Sequence, residues 1–229
     1  MSMISEEGSS SLAAVPQTWS DVWVKALTQP SVATYQDFVS RPEVSSRRAY
    51  IWVFLGSVVA SGLTLLGILL FGSLAALGAE EALDLAGGFL IVILAFVCLA
   101  PLGGLFAILG LVIIAAISQA IARSLGGSGT YSELSYAFGA YLAPLGIVSS
   151  VLSMIPIINL LTIPLAIYGV FLNILAIKSV HRFGWGKALA SSVVIFALFL
   201  ILVAVGVIVV LALLGPAIGD VFSNIVEDI

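Results

Sequence analysis

The amino-acid sequence predicts an all-α integral membrane protein, a five-transmembrane-helix bundle with an N-terminal cytoplasmic amphipathic segment. The first observation is composition: 61% of the 229 residues are hydrophobic, only 9% are charged, and the mean hydropathy is +1.23. An ordinary soluble domain has about 45–50% apolar and about 25% charged residues. A buried core cannot account for that difference, so lipid is the solvent for most of this chain.

The second observation is the length of the apolar runs. A bilayer core of ~30 Å needs about 20 helical residues. Runs of at least that length lie near residues 50–74, 88–122, 134–154, 160–180 and 188–214. The run from Gly88 to Arg123 is longer, roughly 53 Å as one straight helix, and Pro101 interrupts it. It is compatible with one kinked helix, a half-helix followed by a full span, or two spans.

The third observation, the position of the charges, distinguishes these alternatives. With five spans and a cytoplasmic N-terminus, all eight Lys and Arg residues fall on the cytoplasmic side, and the exterior carries acidic residues only, within residues 78–88 and 215–229. With six spans, the basic residues from Arg123 onward would lie outside. Because short cytoplasmic loops are enriched in Lys and Arg, we predict five spans, with Gly88–Arg123 as a single crossing and the C-terminus outside.

These spans divide the chain into four regions. They are a disordered polar tail (1–17), cytoplasmic juxtamembrane amphipathic helices (18–48), the transmembrane domain (49–214) and an acidic exterior tail (215–229). Pro30 and Pro42 are predicted to end the two short helices of the second region, since proline cannot donate a helical hydrogen bond. The last span is predicted to end at Gly215-Pro216.

The two short helices carry aromatic residues at helical spacing beside basic groups, a pattern typical of helices at the lipid headgroup boundary. We therefore expect a set of their side chains and neighbours to contact lipid or a partner protein. The alternative is that the two helices pack on the protein's own cytoplasmic loops. The residues of this predicted surface are Trp19, Trp23, Lys25, Tyr35, Arg47 and Arg48.

Residues for enzyme chemistry are scarce. One histidine, His181, and one cysteine, Cys98, cannot supply the three or four ligands of a zinc site. The spans hold no ionisable residue at depth that would indicate a proton or ion path. The glycines between Gly126 and Gly129 lack the GK[ST] ending and the preceding strand of a phosphate loop. We therefore assign no catalytic, cofactor-binding or metal-binding residue, and expect no nucleic-acid partner.

The centre of the chain carries the most specific motif. Residues 123–133 read RSLGGSGTYSE, and AYLAP follows at 140–144. This order resembles the Yip1-domain family, whose pattern places a GGxGs(f/y)xe loop between the second and third spans and a GYxxP-like motif in the third. The resemblance covers roughly residues 18–214 and implies five spans. It also implies structural roles for Gly126, Gly127, Gly129, Tyr141 and Pro144.

The resemblance is greatest to bacterial, particularly cyanobacterial, members, which implies a plasma or thylakoid membrane location. Eukaryotic members bind prenylated Rab-type GTPases and carry a DLYGP-type motif in the cytosolic tail. Here that tail has only Arg41-Pro42-Glu43, so the eukaryotic role is not carried over.

The leading functional hypothesis is a non-enzymatic scaffold or adaptor that organises partner proteins or the membrane, with membrane proteins or a second copy of the chain as partners. In it, the glycine hairpin presents Tyr131 and Glu133 to the cytosol.

The alternative is a small transporter or permease for an apolar or zwitterionic solute, with Tyr141, Tyr168 and Asn173 lining its path. A cavity at mid-membrane between the helices of Pro144 and Pro164 would favour transport, and a solidly packed bundle would favour the scaffold.

Overall fold

The computed structural model describes residues 18–76, 85–155 and 157–227. These residues form helices and no strand, which confirms the predicted all-α class. The predicted disordered tail at 1–17 and most of the acidic loop before the second span lie outside the described residues. The helices are α1 (Trp19–Thr28), α2 (Val32–Val39), α3 (Ser46–Ala76), α4 (Leu85–Ser124), α5 (Tyr131–Ser153), α6 (Thr162–His181) and α7 (Trp185–Glu227), with a 3-10 turn at Ile158–Leu161 before α6.

Five of these helices are long and apolar enough to cross a membrane. This confirms the predicted five-span architecture. The candidate spans are Ser46–Leu70, Leu90–Ser124, Tyr131–Ser153, Ile158–His181 and Trp185–Gly215.

Helix α5 is the centre of the bundle, and every residue from Leu134 to Tyr141 is buried. It packs most closely on α3, where small residues let the backbones approach. A Cβ atom added at Gly139 would lie 2.9 Å from the Cα of Ala49, and one at Gly56 would lie 3.1 Å from the Cα of Ala143. The α3–α5 contact therefore depends on glycine and alanine on both helices.

Helix α4 is a single helix of 40 residues with Pro101 inside it. The chain does not reverse direction at Pro101, so the alternative of two spans in this segment is excluded. Proline is tolerated within membrane helices because neighbouring groups satisfy the freed carbonyl.

Helix α7 continues past Gly215-Pro216, where the last span was predicted to end, as far as Glu227, and the candidate span of this helix ends at Gly215. Proline holds φ near −65°, which suits a helix, and it removes only one backbone hydrogen bond. The segment that was expected to form a separate tail is thus part of α7 as far as Glu227. Along α4 and α7, large apolar side chains such as Phe106, Ile208 and Leu213 remain exposed, as helices surrounded by lipid would leave them.

Helices α1 and α2 form a two-helix layer, here called the platform, which lies against the bundle toward the end where α4 ends and α5 begins. Thr18 caps α1 in a capping box with Asp21, and Ser31 caps α2 by accepting from the backbone N–H of Thr34 at 3.0 Å. Hydrogen bonds from Thr18 hold the pKa of the Asp21 carboxyl below its usual range. The platform packs on α5 and α6, and it defines the platform end of the molecule.

Candidate functional site

The loop between α4 and α5, residues 125–130, lies at the platform end and is called the glycine loop. Gly126 has a φ of +87°, in the left-handed region that glycine adopts without strain. The N–H of Gly127 donates to the carbonyl of Ala122 at 2.9 Å and closes the end of α4. A Cβ at Gly127 would lie 2.7 Å from Nδ1 of His181. Both positions therefore require glycine, although for different reasons.

Gly129 is held from both sides by buried side chains. Its N–H donates to Nδ1 of His181 at 3.2 Å, and its carbonyl accepts from Nε2 of Gln119 at 2.7 Å. His181 is the last residue of α6, only 2% exposed, and stacks on Phe183 with ring centroids 5.5 Å apart. These contacts tie the loop to α4 and α6, and they give His181 a structural role.

Gln119 was not singled out from the sequence. Its signal was present, because a lone amide inside the apolar run of α4 must find a hydrogen-bond partner when it is buried. The partner, the carbonyl of Gly129, could not be read from the run itself.

At the start of α5, Tyr131 and Glu133 were expected to face the cytosol, and only one of them faces open space. Glu133 forms a capping box with Thr130, whose N–H donates to Oε2 of Glu133 at 2.6 Å. The Tyr131 hydroxyl lies 3.0 Å from the Tyr50 hydroxyl on α3, and the side chain is half-buried. Tyr131 therefore joins two helices, and only Glu133 faces the open space beside α2.

That open space is a polar cleft of about 770 Å³ between α2, the glycine loop and the adjoining ends of α5 and α6. Its charged side chains are Asp37, Glu133 and Arg182, and Ser128 lies on its loop side. Asp37 also pairs with Arg41 at 2.9 Å. Residues far apart in sequence thus form the mixed-charge surface of the polar cleft.

The six residues of the predicted lipid or partner surface are not all on the surface. Trp19 and Trp23 pack edge-on against Trp52 of α3, with ring centroids 6.1 and 6.3 Å apart. Trp52 in turn packs on Tyr136 at 4.8 Å, and the Arg48 guanidinium lies 5.9 Å from its ring centroid. The aromatic stripe of α1 therefore packs on the transmembrane helix α3, whereas the alternative placed it on the cytoplasmic loops.

Tyr35 differs most from its expected position. It is 0% exposed, so its ring packs inside the protein and cannot contact lipid or a partner. Burial raises the pKa of its hydroxyl, which forms no hydrogen bond within the part of the chain that the structure describes. Lys25 and Arg47 are exposed and Trp19 is 37% exposed. A lipid or partner contact through these three residues stays a prediction.

A second cavity lies between α5 and α6, bordered by α4 and α7, and it opens to the lipid-facing surface beside the exposed side chain of Ile167. It has a volume of about 400 Å³ and walls that are almost entirely apolar. Its polar residues are Tyr141 and Asn173: Nδ2 of Asn173 donates to the Tyr141 hydroxyl at 3.1 Å, and Oδ1 accepts from the Ser192 hydroxyl at 3.2 Å. Tyr168 instead donates its hydroxyl to the carbonyl of Leu27 and ties α6 to the platform.

The family-motif residues occupy two different places. The three glycines form the glycine loop, whereas Tyr141 and Pro144 are buried in the middle of α5. The structure brings Tyr141 together with Asn173, and it brings the loop together with His181. In the part of the chain that the structure describes, no three His, Cys, Asp or Glu side chains are grouped so that they could hold a metal ion.

The helices and their exposed apolar faces define a polytopic, all-helical integral membrane protein. A family model described as the Yip1 domain matches residues 24–216. The match includes the glycine loop and all five candidate spans, and the chain belongs to the Yip1-domain family. Neither a curated protein nor a solved structure matches the chain.

Proposed function

We propose that this protein is a non-enzymatic membrane scaffold or adaptor that holds a partner protein at its platform end. The observation that carries the proposal is the polar cleft, a space of about 770 Å³ whose charges come from α2, α5 and the end of α6. Lipid-facing surfaces of the protein are apolar, so a mixed-charge concavity at the ends of two spans suits a polar ligand. A polar segment of a partner protein fits this chemistry.

The orientation of the platform end supports the same role. Lys178 donates to the carbonyl of Phe183 at 3.1 Å, and Lys187 donates to the carbonyl of Leu125 at 2.8 Å, so both cations lie beside the glycine loop region. Arg123 and Arg182 flank the same region in sequence. By the positive-inside rule this end faces the cytoplasm, where soluble and membrane-bound partners are both accessible.

A photo-crosslinking amino acid at Ser128 tests the scaffold proposal, since Ser128 is exposed and borders the polar cleft. The matched control is the same amino acid at Ser124, which is exposed but does not border the cleft. We expect one reproducible protein adduct at Ser128 and none at Ser124. Arg182→Glu should abolish the adduct, and Arg123→Glu, the same charge change at an exposed residue outside the cleft, should not. Failure to recover any reproducible adduct would overturn the proposal.

A second candidate function, a small permease, is favoured by the cavity inside the bundle. Its position between the helix of Pro144 and the helix of Pro164 is the arrangement that the permease hypothesis requires, and Tyr141 and Asn173 line it. Uptake of candidate apolar and zwitterionic solutes into proteoliposomes tests this function. Transport that Ala166→Phe blocks by filling the cavity would support it, and the absence of protein-dependent uptake would contradict it.

A further inference from the structure

The cavity inside the bundle has the composition of a ligand site. Side chains from four helices form its walls, including Ile114 of α4, Leu145 of α5, Ile167 of α6 and Phe196 of α7. None of its lining residues is charged. At ~30 Å³ per water molecule in the liquid, its volume corresponds to roughly 13 water volumes, so it can take a small apolar molecule or part of a larger one.

Two hydrogen-bond donors at the wall of this cavity are unused. Tyr141 is 3% exposed and Asn173 is 7% exposed. Asn173 has two N–H groups, and one donates to Tyr141, whose own O–H still needs an acceptor. Among the described residues, no acceptor takes that O–H or the second N–H of Asn173. Water is scarce in the bilayer core, so buried donors there need another partner.

The two donors lie well inside the lengths of their helices. Tyr141 lies ten residues after the first residue of α5, which at 1.5 Å per residue is roughly 15 Å along the helix. Asn173 lies eight residues before the end of α6, roughly 12 Å along it. Both residues therefore lie within candidate spans, Tyr131–Ser153 and Ile158–His181, and away from the ends of these helices.

We propose that this cavity binds an uncharged, lipid-soluble molecule with an apolar body and a carbonyl oxygen, which accepts hydrogen bonds from Tyr141 and Asn173. The uncharged lining excludes an ionic ligand, and the two unused donors select an acceptor oxygen over a plain hydrocarbon. The Ser192 hydroxyl holds Oδ1 of Asn173, so the amide presents its N–H side to the cavity. Binding requires neither a protein partner nor transport, and so goes beyond both functions proposed above.

The test uses the full chain in nanodiscs and two photoreactive probes of equal chain length. One is a diazirine-bearing long-chain aliphatic ketone, and the other is the corresponding alkane without the carbonyl. We expect the ketone to label peptides of α5 and α6 more strongly than the alkane does. Tyr141→Phe should lower ketone labelling by roughly 2- to 12-fold, the value of one hydrogen bond, and leave alkane labelling unchanged. Ser149→Ala, on α5 but outside this cavity, is the matched control.

Ala166→Phe provides a second variant that keeps the proposal testable if Tyr141→Phe fails to fold. Ala166 lines the cavity but is exposed, so a larger side chain there can fill the space without disturbing the core. It should reduce labelling by both probes. Equal labelling by ketone and alkane would overturn the proposal and indicate bulk lipid in the cavity. Labelling by neither probe would also overturn it. Neither result would bear on partner capture at Ser128.

Discussion

Helices α5 and α7 lie on two sides of the bundle and differ in how much of their surface the rest of the protein covers. In an 18-residue stretch of each span, 61% of the residues are buried in α5 but only 6% in α7. Helix α5 is covered by the platform, α3, α4 and α6, whereas most of α7 beyond Ile195 exposes apolar side chains. A helix in lipid needs no protein cover for its apolar face, so only the α5 side requires close packing between helices.

The glycines follow the same division. Gly127, Gly129 and Gly139 lie against backbone atoms of other elements, whereas Gly206 and Gly215 of α7 have no atom within 4 Å of an added Cβ. A glycine in a membrane helix therefore indicates close contact only where another backbone is present. Substitutions at the close contacts should therefore destabilise the protein more than substitutions on α7.

Gly129→Val is expected to have the largest effect. An added Cβ would lie 2.6 Å from the carbonyl oxygen of Val180, an atom of the backbone that cannot turn away. We expect a loss of stability of about 3 kcal/mol, seen as loss of folded protein in detergent by size-exclusion chromatography. Gly206→Val on α7 is the control and should behave as the parent. Equal behaviour of the two variants would show that the loop does not organise the fold.

Gly139→Ala and Gly146→Ala compare two positions on the same helix. The first brings a methyl group to 2.9 Å from the Cα of Ala49, and the second has no atom within 4 Å. Overpacking of this kind costs about 1–3 kcal/mol, so the melting temperature should fall for Gly139→Ala. It should stay level or rise for Gly146→Ala, since alanine favours helix over glycine. A fall for both would place an unrecognised contact at Gly146.

Gln119→Leu removes the donor to the carbonyl of Gly129 and leaves that buried acceptor unsatisfied. We expect a loss of about 1–3 kcal/mol, measured as a shift in the thermal unfolding midpoint. Ser124→Ala, at the exposed end of the same helix, is the control. An unchanged midpoint for Gln119→Leu would mean that another group satisfies the loop carbonyl.

Tyr35→Phe and Tyr168→Phe distinguish two contacts of the platform. The Tyr35 hydroxyl is buried and has no hydrogen-bond partner among residues 18–76, 85–155 and 157–227, so its removal should leave the stability unchanged or raise it slightly. The Tyr168 hydroxyl donates to the carbonyl of Leu27, so its removal should weaken platform attachment by about 0.5–1.5 kcal/mol. Limited proteolysis of α1 and α2 measures both effects. Faster cleavage of Tyr35→Phe than of Tyr168→Phe would reverse this assignment.

The smallest effect concerns pH and α1. The folded-state pKa of Asp21 is lowered, so its capping contribution is fully present above the ordinary value of 3.8 and is lost as pH falls through the folded value. Hydrogen exchange of residues 19–28, corrected for intrinsic rates, should therefore show α1 loosening only below about pH 4. Asp21→Asn should remove that pH dependence, and a loosening that persists in this variant would assign it to another group.

Several features of the protein were determined by the sequence alone. Composition and run length predicted five helical spans, and the charge distribution predicted one crossing for the segment that became α4. The glycine loop followed from Gly126, Gly127 and Gly129. These features are local, because hydropathy, glycine backbone freedom and the length needed to cross a bilayer depend on neighbouring residues only.

Other features were decided by contacts between residues distant in the chain. The aromatic stripe of α1 suits a lipid headgroup layer and a protein surface equally well. The position of Trp52 on α3 decides that the stripe packs against the bundle. Gln119 and His181 both form hydrogen bonds with the backbone of Gly129, and Asn173 forms one with Tyr141. Each of these sets of contacts joins different helices. The spacing of apolar residues in the sequence indicates which face of a helix is apolar, but it does not indicate what covers that face. Tertiary packing alone therefore created the polar cleft and the cavity inside the bundle.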